Sequence, residues 1–152
     1  MQKFISSSPA ETEQIAAEFA KTLRGGEVLA FRGGLGMGKT CFTRGLAAGL
    51  GIDPAEVSSP TFALVNEYRG GRLPLWHFDM YRVESFDALY STGFFDYLGN
   101  GGVLVIEWSE NIEGALPEDA VRVTLSRGET ENQRVFLFEG LPGAEDAPVF
   151  PG

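Results

Sequence analysis

Val28-Leu29-Ala30-Phe31-Arg32-Gly33-Gly34-Leu35-Gly36-Met37-Gly38-Lys39-Thr40 is the stretch that decides the fold. Its first four residues form a short apolar run, the pattern of a strand buried on both faces. The residues Gly33-x-x-x-x-Gly38-Lys39-Thr40 fit G-x-x-x-x-G-K-[ST], the phosphate-loop pattern. From Cys41 to Leu50 the apolar residues Phe42, Leu46, Ala47 and Leu50 fall at helical spacing, and Gly51 closes the segment. Strand, glycine loop, helix is the order this chemistry requires. Glycine lets the backbone turn so that N–H groups along Gly33, Leu35, Gly36, Met37 and Gly38 aim at phosphate oxygens, and the helix dipole adds positive charge there. Lys39 is expected to reach the β and γ phosphates, and the Thr40 hydroxyl to ligate Mg²⁺.

Upstream, Ser8-Pro9-Ala10-Glu11 reads as a capping box with proline at the first helical position, and Ile15, Phe19 and Leu23 follow at spacings of four. A helix is expected from Pro9 to Arg24, ended by Gly25-Gly26. Downstream, Phe62 to Tyr68 and Leu75 to Met80 read as strands joined through Arg69-Gly70-Gly71-Arg72, with Pro74 pushing the second toward a sheet edge. Ser85 to Ser91 can cap and form a short helix. Val103-Leu104-Val105-Ile106 is the cleanest buried strand, and it delivers Glu107 at its carboxyl end. Val121, Val123 and Leu125 alternate with polar residues, as do the residues around Phe136 and Phe138, which indicates a second hairpin across 127–133. Helices alternating with strands, some antiparallel, give an α/β fold. The expectation is a three-layer P-loop NTPase of one domain over 1–140, with a mixed sheet between helices and a mobile tail at 141–152.

Composition narrows the function. The chain has 152 residues, 43% apolar, with 12 Lys and Arg against 21 Asp and Glu, a formal charge of −9. One domain with its own core accounts for that length, and two large ones do not. A strongly acidic chain is ill suited to grip nucleic acid alone, since phosphates must be neutralised by clustered Lys and Arg. The charge is uneven: residues 24–82 carry seven bases and five acids, whereas 83–121 hold eight acids and no Lys or Arg. The first twenty residues lack a signal-peptide core, and no apolar run reaches the roughly 18 residues of a membrane helix, so the expected location is the cytoplasm. The lone Cys41 forms neither an internal disulfide nor a metal cage and reads as a small buried residue.

A phosphate loop works with a carboxylate that holds the metal or its waters, and two residues qualify. Glu107 follows four apolar strand residues, and Asp79 follows the Trp76-His77-Phe78 strand. Spacing alone ranks Glu107 first and Asp79 a close second, because Asp79 can instead pair with Arg82 at the surface. His77, the only histidine, lies between aromatics and reads as packed in the sheet rather than as a base.

Taken in order, these motifs resemble the TsaE (YjeE) family, P-loop ATPases of the machinery that makes threonylcarbamoyladenosine in tRNA. The resemblance rests on the phosphate loop followed by Phe42-x-Arg44-Gly45, then Ser59-Pro60-Thr61-Phe62 with Leu64-Val65 and Tyr68, then His77-x-Asp79-x-Tyr81-Arg82, then Ile106-Glu107-Trp108-x-Glu110, then Leu116-Pro117. It covers about residues 6 to 139. It implies ATP and Mg²⁺ as cofactors, Thr40 and Glu107 as metal ligands, Asp79 and Lys39 as residues of hydrolysis, and residues 59–62 as a switch-like loop. It also implies that Thr12 and Arg134 lie near the nucleotide base and that Trp108 resembles a family tryptophan linked to partner or RNA contact. The partners it implies are homologues of TsaB and TsaD, reset between turnovers at position 37 of tRNA, with tRNA contact indirect or weak and no membrane involved. Gly34 stands where the family usually has an acid, and Met37 where it usually has alanine.

Two other readings share the motifs. A small-molecule kinase normally closes an arginine-bearing lid over the phosphates, and residues 83–121 contain no arginine to serve as one. A nucleotide-gated interaction module with negligible hydrolysis is disfavoured by the presence of both Asp79 and Glu107. No N-K-x-D guanine motif occurs, which favours adenine.

Overall fold

The strands β2 (Val28–Phe31), β5 (Val103–Glu107) and β4 (Leu75–Asp79) run parallel at the centre of the molecule and end at one edge. The computed structural model describes residues 2–32, 38–58 and 65–141, and for Lys39 the backbone alone. Four more strands, β1 (Gln2–Ser6), β3 (Val65–Tyr68), β6 (Val121–Arg127) and β7 (Arg134–Glu139), complete a seven-stranded mixed sheet in the order β1-β7-β6-β2-β5-β4-β3. β6 joins β2 in parallel, while β7 pairs antiparallel with both β6 and β1, and β3 antiparallel with β4.

Strand side chains alternate between faces, so each strand feeds two cores. Leu29, Phe31, Leu75, Val103 and Val105 face one side, where they pack beneath α1 (Pro9–Ala20) and α2 (Lys39–Leu50). Val28, Trp76, Phe78, Leu104 and Ile106 face the other, under α3 (Phe86–Ser91), α4 (Phe94–Tyr97) and a 3₁₀ segment at Ser109–Ala115. The first core is aromatic at its centre: Phe42 of α2 packs 5.5 Å from Phe136, 5.7 Å from Phe31 and 5.8 Å from Phe138, between ring centroids. Helix α2, which carries the residues after the phosphate loop, is thereby seated on β2 and β7.

Two glycines set how closely α2 lies on α1. A Cβ built on Gly45 would meet the Glu13 carbonyl oxygen at 2.3 Å and the Ala16 Cβ at 2.6 Å, and one on Gly49 would meet the Ala17 oxygen at 2.4 Å. The backbones touch where these positions recur at i and i+4, so Gly45 of the Phe42-x-Arg44-Gly45 motif is a packing residue.

Several boundaries differ from expectation. Helix α1 stops at Ala20, not Arg24, because Thr22 and Leu23 donate to carbonyls three residues back. The Arg72 guanidinium then caps the helix end, with hydrogen bonds of 2.9 Å to the carbonyls of both Ala20 and Leu23. Pro74 does not put β4 at an edge. It precedes the strand, its carbonyl accepts from Val103 N–H, and β3 takes the edge position. The start of the expected strand at Phe62, the switch-like residues 59–62 and the tail beyond Leu141 lie outside the described residues. The strand β1 and the helix α4 were not anticipated, since neither carries a long enough periodic pattern. Among the described residues no helix is long and apolar enough to cross a membrane.

Candidate functional site

Asp79 and Glu107 are register partners at the carboxyl ends of β4 and β5. Both share the parity of Leu75, Val103 and Val105, so both belong to the face on which α2 lies. This is the carboxyl-end edge of a parallel sheet, where open α/β sheets bind ligands. Ala30 of β2 pairs with Ile106, which brings the chain leaving β2 for the phosphate loop level with Glu107 one residue later. Two acids far apart in sequence are thus neighbours at the edge where the loop begins and where α2 starts.

The local structure of α2 suits an anion. Helices α1 and α3 are capped by side chains, Ser8 to Glu11 N–H and Ser85 to Ala88 N–H, both at 3.1 Å. Helix α2 opens instead at Gly38, which has no side chain to cap with, at φ +137° where only glycine sits without strain. The first-turn N–H groups are left for another acceptor, the arrangement that binds phosphate at helix starts. Thr40 lies in that first turn. Gly33, Leu35, Gly36 and Met37 lie outside the described residues, as does the Lys39 side chain.

Each acid has a defined partner. Glu107 is 4% exposed, and its Oε2 lies 2.9 Å from Nε2 of His77, itself fully buried. With its hydrogen on Nε2 the ring donates to the carboxylate and leaves Nδ1 a bare lone pair. Nδ1 has no hydrogen-bond partner among the described residues, and an unpaired lone pair costs less to bury than an unpaired N–H. His77 is therefore packed in the sheet, as its aromatic neighbours suggested, and it also fixes one oxygen of Glu107. Asp79 does not pair with Arg82 in the way the surface reading supposed; its Oδ1 accepts the backbone N–H of Tyr81 at 2.9 Å.

The two strand ends are tied together. Met80 N–H donates to the Glu107 carbonyl at 3.0 Å, and the Asn111 amide donates to the carbonyl of Met80 at 2.8 Å. Trp108, immediately after Glu107, has φ +57°, a left-handed conformation that side-chain-bearing residues rarely adopt. That turn lays its ring against Tyr81, 5.0 Å between centroids. Trp108 is partly buried and packs against the second core.

A second part of the site lies beside the start of α2. Thr12, Gly38, Cys41, Asn132 and Arg134 line a cleft of about 190 Å³ together with Ser8 and Pro9. Thr12 and Arg134, 122 positions apart in sequence, meet there with the N-cap of α2. Thr12 is almost fully buried, and its hydroxyl donates to Ser6 Oγ at 2.5 Å, which anchors α1 to β1. Arg134 is held by hydrogen bonds of 2.7 and 2.8 Å to the carbonyls of Glu131 and Gln133. Cys41 was expected to be buried. It is half-buried in this cleft, and its thiol pKa is raised, first by burial and then by Glu13. Asn132 was missed, because a loop asparagine carries no sequence signal without the cleft around it.

Thr40 and Glu107 offer oxygen donors only, the kind a hard cation takes. Among the described residues no group of three or more His, Cys, Asp and Glu could hold a metal by itself. Mg²⁺ suits such a site, since it takes one or two protein oxygens and completes its shell with phosphate and water.

The chain is similar to known proteins of one family. A family model described as threonylcarbamoyl adenosine biosynthesis protein TsaE matches residues 6–136. The chain is 40% identical over 139 residues to the tRNA threonylcarbamoyladenosine biosynthesis protein TsaE of Bacillus subtilis, covering 91% of this chain and 86% of that one. It is 43% identical over 111 residues to the protein of the same name from Aquifex aeolicus, covering 72% and 78%. The crystal structure of Bacillus subtilis YdiB superposes with a TM-score of 0.70 at 34% identity, covering 90% of this chain and 83% of that one.

Proposed function

The chain belongs to the TsaE family of threonylcarbamoyl adenosine biosynthesis proteins, and from that premise we propose that it is a Mg²⁺-dependent ATPase serving threonylcarbamoyladenosine formation at position 37 of tRNA. Its involvement in that biosynthesis follows from family membership. The observation that most supports hydrolysis is the register pairing of Asp79 with Glu107, on the sheet face under α2.

In this reading the loop N–H groups from Gly33 to Gly38 and the first turn of α2 bind the triphosphate, and Lys39 neutralises its outer phosphates. Thr40 and Glu107 would hold Mg²⁺, which when bound would supply charge neutralisation to the triphosphate. His77 keeps the Glu107 carboxylate in one orientation. Asp79 orients the attacking water, and the cleft bounded by Thr12, Cys41 and Arg134 takes the adenine. The hydrolytic cycle resets a complex with homologues of TsaB and TsaD, which carry the threonylcarbamoyl transfer. Contact with tRNA is indirect, as the charge of −9 suggests. Alone, the subunit is slow, because an electrostatic element comes from the partner as an arginine finger does in trans.

The test is phosphate release by the purified chain, with and without the TsaB and TsaD homologues. Stimulation by the pair is the expected result. Phosphate appearing on a metabolite would make the protein a kinase, and silence in both arms would make it a nucleotide-gated binding module.

A further inference from the structure

Among the described residues the large exposed apolar side chains are Ile5, Tyr81, Phe86 and Tyr90. Phe86 and Tyr90 lie one turn apart on α3, 67% and 69% exposed, in a protein whose other phenylalanines largely fill its two cores. Scattered exposed aromatics need no explanation. These two form a cluster: Phe86 is 6.4 Å from Tyr90, and Phe95 is 5.8 Å from Phe86 and 6.4 Å from Tyr90, between ring centroids. A recess of about 580 Å³ opens beside them, running from Phe86 and Phe95 across Leu89 to Asn111 and Ile112.

Its walls are the two segments that follow the candidate acids. One begins just after Asp79 and leads into α3; the other begins just after Glu107 and forms the 3₁₀ segment. Asn111 joins them through its hydrogen bonds to the carbonyls of Met80 and Tyr81, at 2.8 and 3.3 Å. The recess is thus lined by residues of both segments that leave the strand ends.

We propose that this face is where the partner assembly docks, and that the occupant is an apolar segment of the TsaB–TsaD pair flanked by Lys or Arg side chains. The proposal rests on the function proposed above. Charge decides the occupant. Glu84 lines the recess, Asp87 follows Phe86, Asp96 follows Phe95, Glu110 precedes Asn111, and residues 83–121 contain no Lys or Arg. The nearest base on the far side, Arg122, is already bonded to Glu113 at 2.8 Å. RNA could stack on the rings, yet its phosphates would meet mainly carboxylates, with Arg82 the single base in the wall segments 80–86 and 108–115. A second copy would set the same acids against each other in a self-complementary interface. A basic protein surface with an apolar centre satisfies both the rings and the charge.

The experiment measures binding of the full-length chain, with ATP, to the purified TsaB–TsaD pair from the same source. Wild type is compared with Phe86→Ser/Tyr90→Ser and with Glu84→Lys/Asp87→Lys. All four positions are exposed, so melting temperature and ATP affinity should hold and report any misfolding. The aromatic double variant is expected to lose about tenfold or more in affinity. The charge-reversed variant should also weaken, and wild-type binding should fall as salt is added. Wild-type binding with equal binding by the aromatic variant overturns this surface and leaves the proposed function standing. Failure of the wild type to bind the pair overturns the inference and its premise together. Loss of self-association or of direct tRNA binding in the aromatic variant, with binding to the pair intact, would assign the face to those ligands instead.

Discussion

Nε2 of His77 lies 2.9 Å from Oε2 of Glu107, across adjacent parallel strands, with the imidazole wholly buried and the carboxylate side chain 6% exposed. The two are diagonal neighbours, since His77 is registered with Val105 and Glu107 with Asp79. A hydrogen bond to a buried carboxylate orients it, and partners of this kind commonly change metal affinity ten- to a hundredfold when removed. His77→Leu should therefore raise the Mg²⁺ concentration needed for half-maximal phosphate release by about tenfold or more. His77→Gln, which can place an amide N–H near the same spot, should recover most of it. Mn²⁺ binding followed by electron paramagnetic resonance with a non-hydrolysable ATP analogue reads the same shift without turnover. Equal metal affinity in the leucine and glutamine variants would leave His77 a packing residue.

Asp79 is positioned differently from its neighbour: it is only partly buried and accepts a backbone N–H from Tyr81. Loss of its charge should leave the sheet and the cleft beside α2 intact while removing the group proposed to orient the attacking water. Asp79→Asn should bind ATP within about threefold of wild type and lose about 10²-fold or more in hydrolysis, the scale of general-base contributions. Binding is read by calorimetry and hydrolysis by single-turnover phosphate release. Hydrolysis at the wild-type rate would move the role to a residue of the 59–64 segment.

Gly45 tests the seam between α1 and α2. Helix propensity alone makes Gly→Ala stabilising by about 1 kcal/mol in a helix interior. Packing should reverse that sign, because the new methyl would sit 2.3 Å from the Glu13 carbonyl oxygen and 2.6 Å from the Ala16 Cβ. Overpacking of this kind costs about 1–3 kcal/mol. Gly45→Ala should lower the melting temperature, while Gly114→Ala, where the added Cβ meets nothing within 4 Å, should change it little. A stabilised Gly45→Ala would mean that the helices part easily.

The β2–loop–α2 unit could be read from sequence because its signals are local: four apolar residues, a loop motif and a helical stripe ended by Gly51, whose φ of +86° matches its closing role. Glu107 was readable for the same reason, as the residue following an unbroken apolar strand. What could not be read is pairwise and distant. Nothing local reveals that His77 reaches Glu107, that Arg72 caps the end of α1 52 residues earlier, or that Asn132 joins Thr12 in one cleft. The strand β1 is paired with β7 at the far end of the chain, and its five residues carry little pattern of their own. The left-handed turn at Trp108 is also invisible to propensity, which places tryptophan in extended strands.

Cys41 offers a test of where the nucleotide base lies, because its thiol is half-buried in the cleft with Thr12, Gly38 and Arg134. Burial and the nearby Glu13 carboxylate raise its pKa above the ordinary thiol value, with Arg44 opposing in part. The thiolate is the reactive form, and a raised pKa makes it scarce at neutral pH. Alkylation by iodoacetamide should therefore be slow at pH 7 and rise about tenfold per pH unit, without levelling off until the pH passes the normal thiol range. An unperturbed thiol would level off near pH 8.5. If adenine fills this cleft, saturating ATP should suppress alkylation at every pH, whereas inorganic triphosphate, which lacks the base, should suppress it less. Because Cys41 is the only cysteine, mass spectrometry of the intact chain reads the reaction directly. Alkylation at the same rate with and without ATP would place the base elsewhere and return Thr12 and Arg134 to a structural role.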